Sequence, residues 1–160
     1  MLRFVEVLAA AALQPDALRI ALAHDQRRRS RLRVELPDGR SAGLFLPRGT
    51  VLRDGDLLRS EEGLVARVHA AAELVSVAST SDTHLLARAA YHLGNRHVPL
   101  QIELGRVVYP HNHVLDGMCR ELGLEVTQEL VPFEPEAGGY GGEHRHGGGG
   151  LGPWGGHRHG

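Results

Sequence analysis

Two stretches of this chain carry the same apolar stripe and the same ending, and that repeat constrains the fold of its second half more than any other feature. After Ser81-Asp82, the residues Leu85, Leu86, Ala89, Ala90 and Leu93 recur in steps of three and four, and Gly94 follows. After Asn112, the residues Val114, Leu115, Met118, Cys119 and Leu122 do the same, and Gly123 follows. This spacing places the apolar side chains on one face of a helix. Asp and Asn are favoured N-caps, and a glycine past the last apolar residue supplies a left-handed stop. The pattern predicts two amphipathic helices, capped near Ser81/Asp82 and Asn112 and ending at Gly94 and Gly123. Around them, Leu74–Val77, the alternating Val98, Leu100 and Ile102, the segment Val107–Tyr109 and Leu124–Thr127 read as strands, with a turn at Gly105. Strand–helix–strand–strand–helix–strand is the ferredoxin-like split βαβ order. In this reading His97 opens a strand and points away from the core, together with Pro99 and Gln101.

Residues 1–72 have a different period. Phe4–Leu8, Leu18–Leu22, Leu32–Leu36, a partner ending at Phe45-Leu46, Val51-Leu52, Leu57-Leu58 and Leu64–Val68 are short, roughly alternating runs. Pro37-Asp38-Gly39, Pro47-Arg48-Gly49, Asp54-Gly55-Asp56 and Glu61-Glu62-Gly63 separate them. Six or more short strands with regular turns predict a small all-β domain. Residues 138–160 hold twelve glycines in 23 positions and only Leu151 and Trp154 as bulky apolar residues. Ordering so much glycine costs more entropy than those two side chains offset, so this segment is expected to be a flexible tail. The expected class is α+β: a small all-β domain over 1–72, a ferredoxin-like domain over 73–137 and a Gly/His-rich tail over 138–160.

Several functions are excluded by residue type. All 18 basic residues are arginine, against 19 acidic ones, for a net charge of −1. Without lysine there is no Schiff-base or P-loop lysine. A near-neutral chain has no global field for nucleic acid or an anionic membrane. One cysteine, Cys119, excludes an intramolecular disulfide and a Cys-cluster zinc site, and it fits a reducing compartment. No window reaches the roughly 18 apolar residues of a membrane span. The apolar opening faintly imitates a secretory signal, but Glu6 interrupts it and Val5/Val7 alternate as in a strand. A cytoplasmic location is the expectation. No hydrolase or phosphate-loop motif is present.

Histidine is the outlier at 11 residues, nine of them after position 80. The tail holds two matched units, His144-Arg145-His146 and His157-Arg158-His159. Neutral imidazole ligates nickel, copper and zinc, and a flexible leash keeps such donors near a second site. His111-Asn112-His113 stands at the mouth of the second helix; residues two apart do not share a helix face, so the pair converges only if His111 precedes the helix. By spacing alone it is a cap flanked by two exposed rings. His97 is a single imidazole, which does not hold a divalent ion unless a two-fold dimer brings its twin. His84 and His92 read as polar-face helix residues, and Cys119 as core. Five arginines over Arg27–Arg33 read as a solvated loop running into an exposed strand.

Tyr91-His92-Leu93-Gly94-Asn95-Arg96-His97-Val98-Pro99-Leu100-Gln101, His113-Val114-Leu115 and Leu130-Val131-Pro132-Phe133-Glu134-Pro135-Glu136-Ala137-Gly138-Gly139-Tyr140 resemble the UreE family of urease accessory proteins, nickel metallochaperones. Pro47–Leu58 resembles that family's N-terminal domain. The resemblance implies a homodimer joined through the second domain, with a central Ni²⁺ site made by His97 of both subunits. It also implies peripheral ligands at His111 and His113, and tail histidines 144, 146, 157 and 159 that supplement or buffer the metal. In some relatives the residue between the peripheral pair is Asp; here it is Asn112. Zn²⁺ or Cu²⁺ would suit the same ligands. The implied partners are the accessory GTPase UreG and the apo-urease maturation complex, with no enzymatic activity, nucleic acid or membrane. Metal storage and, further off, a nucleic-acid-binding ferredoxin-like module are the alternatives; the latter lacks stacking aromatics on its central strands.

Overall fold

The computed structural model describes residues 1–9 and 16–137. The tail histidines 144, 146, 157 and 159, and the expectation of a flexible tail, lie outside the described residues. Strands β1 (Leu2–Val7), β2 (Leu18–Leu22), β3 (Arg31–Glu35), β4 (Ser41–Phe45), β5 (Leu57–Ser60) and β6 (Val65–Ala70) form one sheet, with the single-turn helix α1 (His24–Arg27) between β2 and β3. Their order is β2-β6-β5-β1-β4-β3. The β1–β4 and β2–β6 pairs are parallel, and the others antiparallel. Alternation sends Phe4, Ile20, Leu22, Val34, Ala42, Leu44, Leu58, Ala66 and Val68 into one core. Each large aliphatic or aromatic side chain so buried stabilises the fold by about 1.5–3 kcal/mol.

Two local expectations fail here. Val51-Leu52 forms no strand, although Leu52 is buried and its N–H donates to the Arg27 carbonyl at 2.8 Å. Residues 24–27 form a helical turn, closed by the Gln26 side chain accepting from the Ala23 N–H at 2.9 Å. Arg27, expected to be solvated, is only 1% exposed.

The second half contains β7 (Ala72–Ser79), α2 (Thr83–Asn95), β8 (Gln101–Glu103), β9 (Arg106–Pro110), α3 (His113–Leu122) and β10 (Glu125–Pro132). The sheet order is β10-β7-β9-β8, with every pair antiparallel. Both helices pack on one face, where Ala78, Ala89, Leu93, Leu100, Val107, Tyr109, Leu115, Cys119 and Leu124 form the core. Val75, Val77, Val108 and Phe133 form a second cluster, so the middle of β7 is buried on both faces and reads as an unbroken Val-Ser-Val-Ala run.

The two sheets meet around Arg27. Its Nη1 donates to the Leu22 carbonyl at 2.7 Å, and its Nη2 donates to the carbonyl of Phe133. Glu134 lies 3.9 Å from the same guanidinium and accepts from the Asp54 N–H at 2.7 Å. The His24 ring stands edge-on to Phe133 at 5.6 Å. Beyond β10 the chain is stitched to the segment after α2: the Glu134 N–H donates to Gln101 Oε1 and the Glu136 N–H to the Leu100 carbonyl, both at 2.8 Å. No helix among the described residues is long and apolar enough to cross a membrane.

Candidate metal centre

Both long helices end in the same hydrogen-bonded corner, built on different residues. At the end of α3, the Gly123 N–H donates to the Arg120 carbonyl and the Leu124 N–H to the Cys119 carbonyl, both at 3.0 Å. Gly123 has φ 109°. At the end of α2, the His97 N–H donates to the Gly94 carbonyl at 3.0 Å and the Val98 N–H to the Leu93 carbonyl at 3.3 Å. These are the paired bonds of a Schellman motif. The left-handed position is therefore His97, with φ 58°, and not the expected Gly94, which stays helical. The register is set by burial: Val98 must drop onto the core beside Leu93, as Leu124 does beside Cys119. His97 thus lies in a tight corner between α2 and β8 and does not open a strand.

Among the described residues, His97 is the one non-glycine with positive φ. That conformation costs an L-residue about 1–2 kcal/mol, although His adopts it more readily than most. His97 is exposed, so its imidazole is presented on the surface at the end of α2.

His111 and His113 flank the start of α3. His111 follows β9 and donates its N–H to the Leu74 carbonyl at 3.2 Å, so it does precede the helix. Its side chain is 27% exposed, and Nδ1 lies 3.1 Å from Ser76 Oγ and 3.3 Å from Asp116 Oδ2. Asp116 is 2% exposed, and its Oδ1 accepts from the Tyr109 hydroxyl at 2.7 Å. Burial, with Asp116 beside it, pushes the Tyr109 hydroxyl far above its ordinary range. His113 is the first residue of α3 and is exposed. Between them, Asn112 Oδ1 accepts from the N–H groups of Val114 and Leu115 at 2.9 and 3.2 Å. That oxygen is committed to the cap.

Cys119 is buried, and desolvation pushes its thiol up, which suits core packing and not ligation. His84 is exposed, and His92 is half-buried with its ring edge-on to Tyr91 at 5.4 Å. Among the described residues no three His, Cys, Asp or Glu side chains come together as a metal-binding group. The described residues of one chain therefore present imidazoles but do not close a coordination shell. Two residues escaped the sequence reading. Asp116 left a signal, a charged residue inside the apolar stripe between Leu115 and Cys119. Arg27 left none, because it is one of five arginines in a short run.

The family model for the N-terminal domain of the UreE urease accessory protein matches residues 4–71, and that for its C-terminal domain matches residues 73–160. The chain is 52% identical over 147 residues to the urease accessory protein UreE of Vibrio parahaemolyticus, covering 89% of this chain and 92% of that one. It is 58% identical over 125 residues to its counterpart in Proteus mirabilis, covering 78% of each. With that of Pseudomonas putida strain W619 it shares 62% identity over 122 residues, 76% of each chain.

Proposed function

The chain belongs to the UreE family of urease accessory proteins, the nickel metallochaperones of urease assembly, and from that premise we propose that it carries Ni²⁺ on His97 shared between two copies. The family is one of accessory chaperones, not catalysts, and its work lies within the urease maturation machinery. The observation that carries the reading is the corner at His97. A fixed, exposed imidazole occupies a backbone position where glycine would be easier, and one imidazole needs its twin to grip a divalent cation. A homodimer joined through the second, ferredoxin-like domain supplies that twin; the sheet order β10-β7-β9-β8 and the two helices on one face support this domain reading.

A shared site with few protein donors holds the ion and leaves coordination positions open. A recipient's ligands can then enter before the chaperone's leave, so transfer proceeds by ligand exchange. His111 and His113 form a peripheral pair, and His144, His146, His157 and His159 follow a segment that is bonded to Leu100 and Gln101, close in sequence to His97. The last described residues before the tail are thus bonded to the segment that follows His97. In this reading the protein works in the cytoplasm and hands nickel towards UreG and apo-urease. Zn²⁺ and Cu²⁺ suit the same donors, so supply and geometry choose the cargo.

Calorimetric nickel titration coupled to light scattering tests the proposal. The native chain is expected to be a dimer with a shared site. His97→Ala should abolish that site, and deletion of 141–160 should lower the stoichiometry while leaving the fold intact. A monomer at nickel saturation, or unchanged binding by His97→Ala, would defeat it.

A further inference from the structure

We propose that Asp116 is a positioning residue that fixes the tautomer of His111 and so selects Nε2 as its metal-binding nitrogen. This rests on the reading of His111 as a peripheral ligand. One hydrogen bond holds the carboxylate in place: the Tyr109 hydroxyl donates to Oδ1 at 2.7 Å. The Asp116 backbone is fixed in the first turn of α3, where its N–H donates to the Asn112 carbonyl at 2.9 Å, and Oδ2 faces His111 Nδ1 at 3.3 Å.

A neutral imidazole carries one ring proton, and the surroundings decide which nitrogen keeps it. With the proton on Nδ1, Ser76 Oγ accepts from it at 3.1 Å, and the Asp116 Oδ2 oxygen lies 3.3 Å away as a favourable counter-charge. With the proton on Nε2, the Ser76 hydroxyl would have to donate to Nδ1, and the Nδ1 lone pair would still lie 3.3 Å from an oxygen of a carboxylate that is 2% exposed. That arrangement sets two electron-rich atoms against each other in a low-dielectric site. The ring is therefore held as the Nδ1–H form, and the Nε2 lone pair is the one left to bind. A buried carboxylate behind a ligating imidazole raises the ligand's basicity and fixes its plane.

The charge behind this site thus comes from an unexpected place. Asn112, between the two histidines, spends its oxygen on the helix cap. The negative charge is delivered from the buried face of α3, five positions beyond His111, and braced by a tyrosine from β9. Asp116 is no ligand, since both of its oxygens face groups of the protein.

Long-range ¹⁵N–¹H correlation spectra of the metal-free, full-length protein, recorded where the rings are neutral, read the tautomer directly. Native His111 is expected as Nδ1–H, Asp116→Asn as a mixture, and Ser76→Ala as unchanged. In nickel titrations, Asp116→Asn should weaken the peripheral site by roughly 10–100-fold. Tyr109→Phe, which removes the donor to Oδ1 but leaves the carboxylate itself, should weaken it less, and it serves as the second variant if Asp116→Asn does not fold. A native Nε2–H tautomer overturns the proposal. So does a folded Asp116→Asn protein with unchanged tautomer and affinity, in a background where His111→Ala loses a site. His111→Ala with full nickel binding would instead defeat the peripheral-ligand reading on which the proposal stands.

Discussion

The guanidinium of Arg27 donates to the main-chain carbonyl of Phe133, joining residues 106 positions apart across the boundary between the two sheets. A second N–H of the same side chain holds the Leu22 carbonyl, and Glu134 lies 3.9 Å away. A charge this deeply buried persists because carbonyl dipoles and a partly exposed carboxylate surround it. Even so, its Nε has no partner among the described residues. Replacing Arg27 by Met would keep much of the volume and strand two buried acceptors, at about 1–3 kcal/mol each. Urea unfolding should show a loss of about 2–4 kcal/mol, with the proposed nickel binding at His97 retained. A loss under ~1 kcal/mol would mean that water replaces the guanidinium without cost.

His97 offers a separation of stability from function. His97→Gly and His97→Ala both remove the imidazole, and both are expected to lose the shared nickel site. Only glycine relieves the left-handed backbone, so the Gly variant should be more stable than the Ala variant by about 1 kcal/mol. Thermal unfolding of the metal-free variants decides this. Equal stabilities would show that the corner is unstrained.

Asn112 is expected to matter as a cap. Asn112→Ala removes the acceptor for two α3 N–H groups and should cost about 1 kcal/mol of stability. Asn112→Asp keeps the cap, adds a charge at the positive end of the helix and should be neutral or stabilising by a few tenths of a kcal/mol. Chemical denaturation of the three proteins checks the order Asp ≥ Asn > Ala.

His24 should make stability fall in mild acid. Burial, and then the neighbouring Arg27 and Arg28 charges, lower its pKa from 6.5 to about 4, against a smaller opposing effect of Asp25. Between those values the unfolded chain binds a proton that the folded protein refuses. The His24 contribution is therefore unfavourable to folding as pH falls from 6.5 towards 4, and it is absent above 6.5. Because the ring is only half-buried, solvent screening limits this to about 1 kcal/mol. His24→Gln should flatten the stability profile in that window; an unchanged slope would show that other groups cause it.

Local patterns carried much of this molecule. The stripes Leu85–Leu93 and Val114–Leu122 became α2 and α3, capped at Asp82 and Asn112 as their residue types dictate. The runs Leu74–Val77 and Val107–Tyr109 became β7 and β9, and Gly123 took the left-handed stop. Each of these depends on side chains a few residues apart, so the pattern is written along the chain. The candidate imidazoles at 97, 111 and 113 were legible by residue type, and their likeness to UreE came from motifs around them.

What the sequence left open was decided by contacts between distant segments. Gly94 and His97 compete for the same corner, and the winner is set by where Val98 can bury against the core of the second sheet. Arg27 looks like its neighbours in a basic run until α1 turns it towards Phe133, which only the packed second half can supply. Asp116 is one more acidic residue on a helix until Tyr109 and Ser76, from two strands of the sheet, close around it and His111. A stripe or a cap records what one segment prefers. Burial of a charge or the choice of a tautomer depends on desolvation and on partners from other elements, and those exist only once the chain has folded.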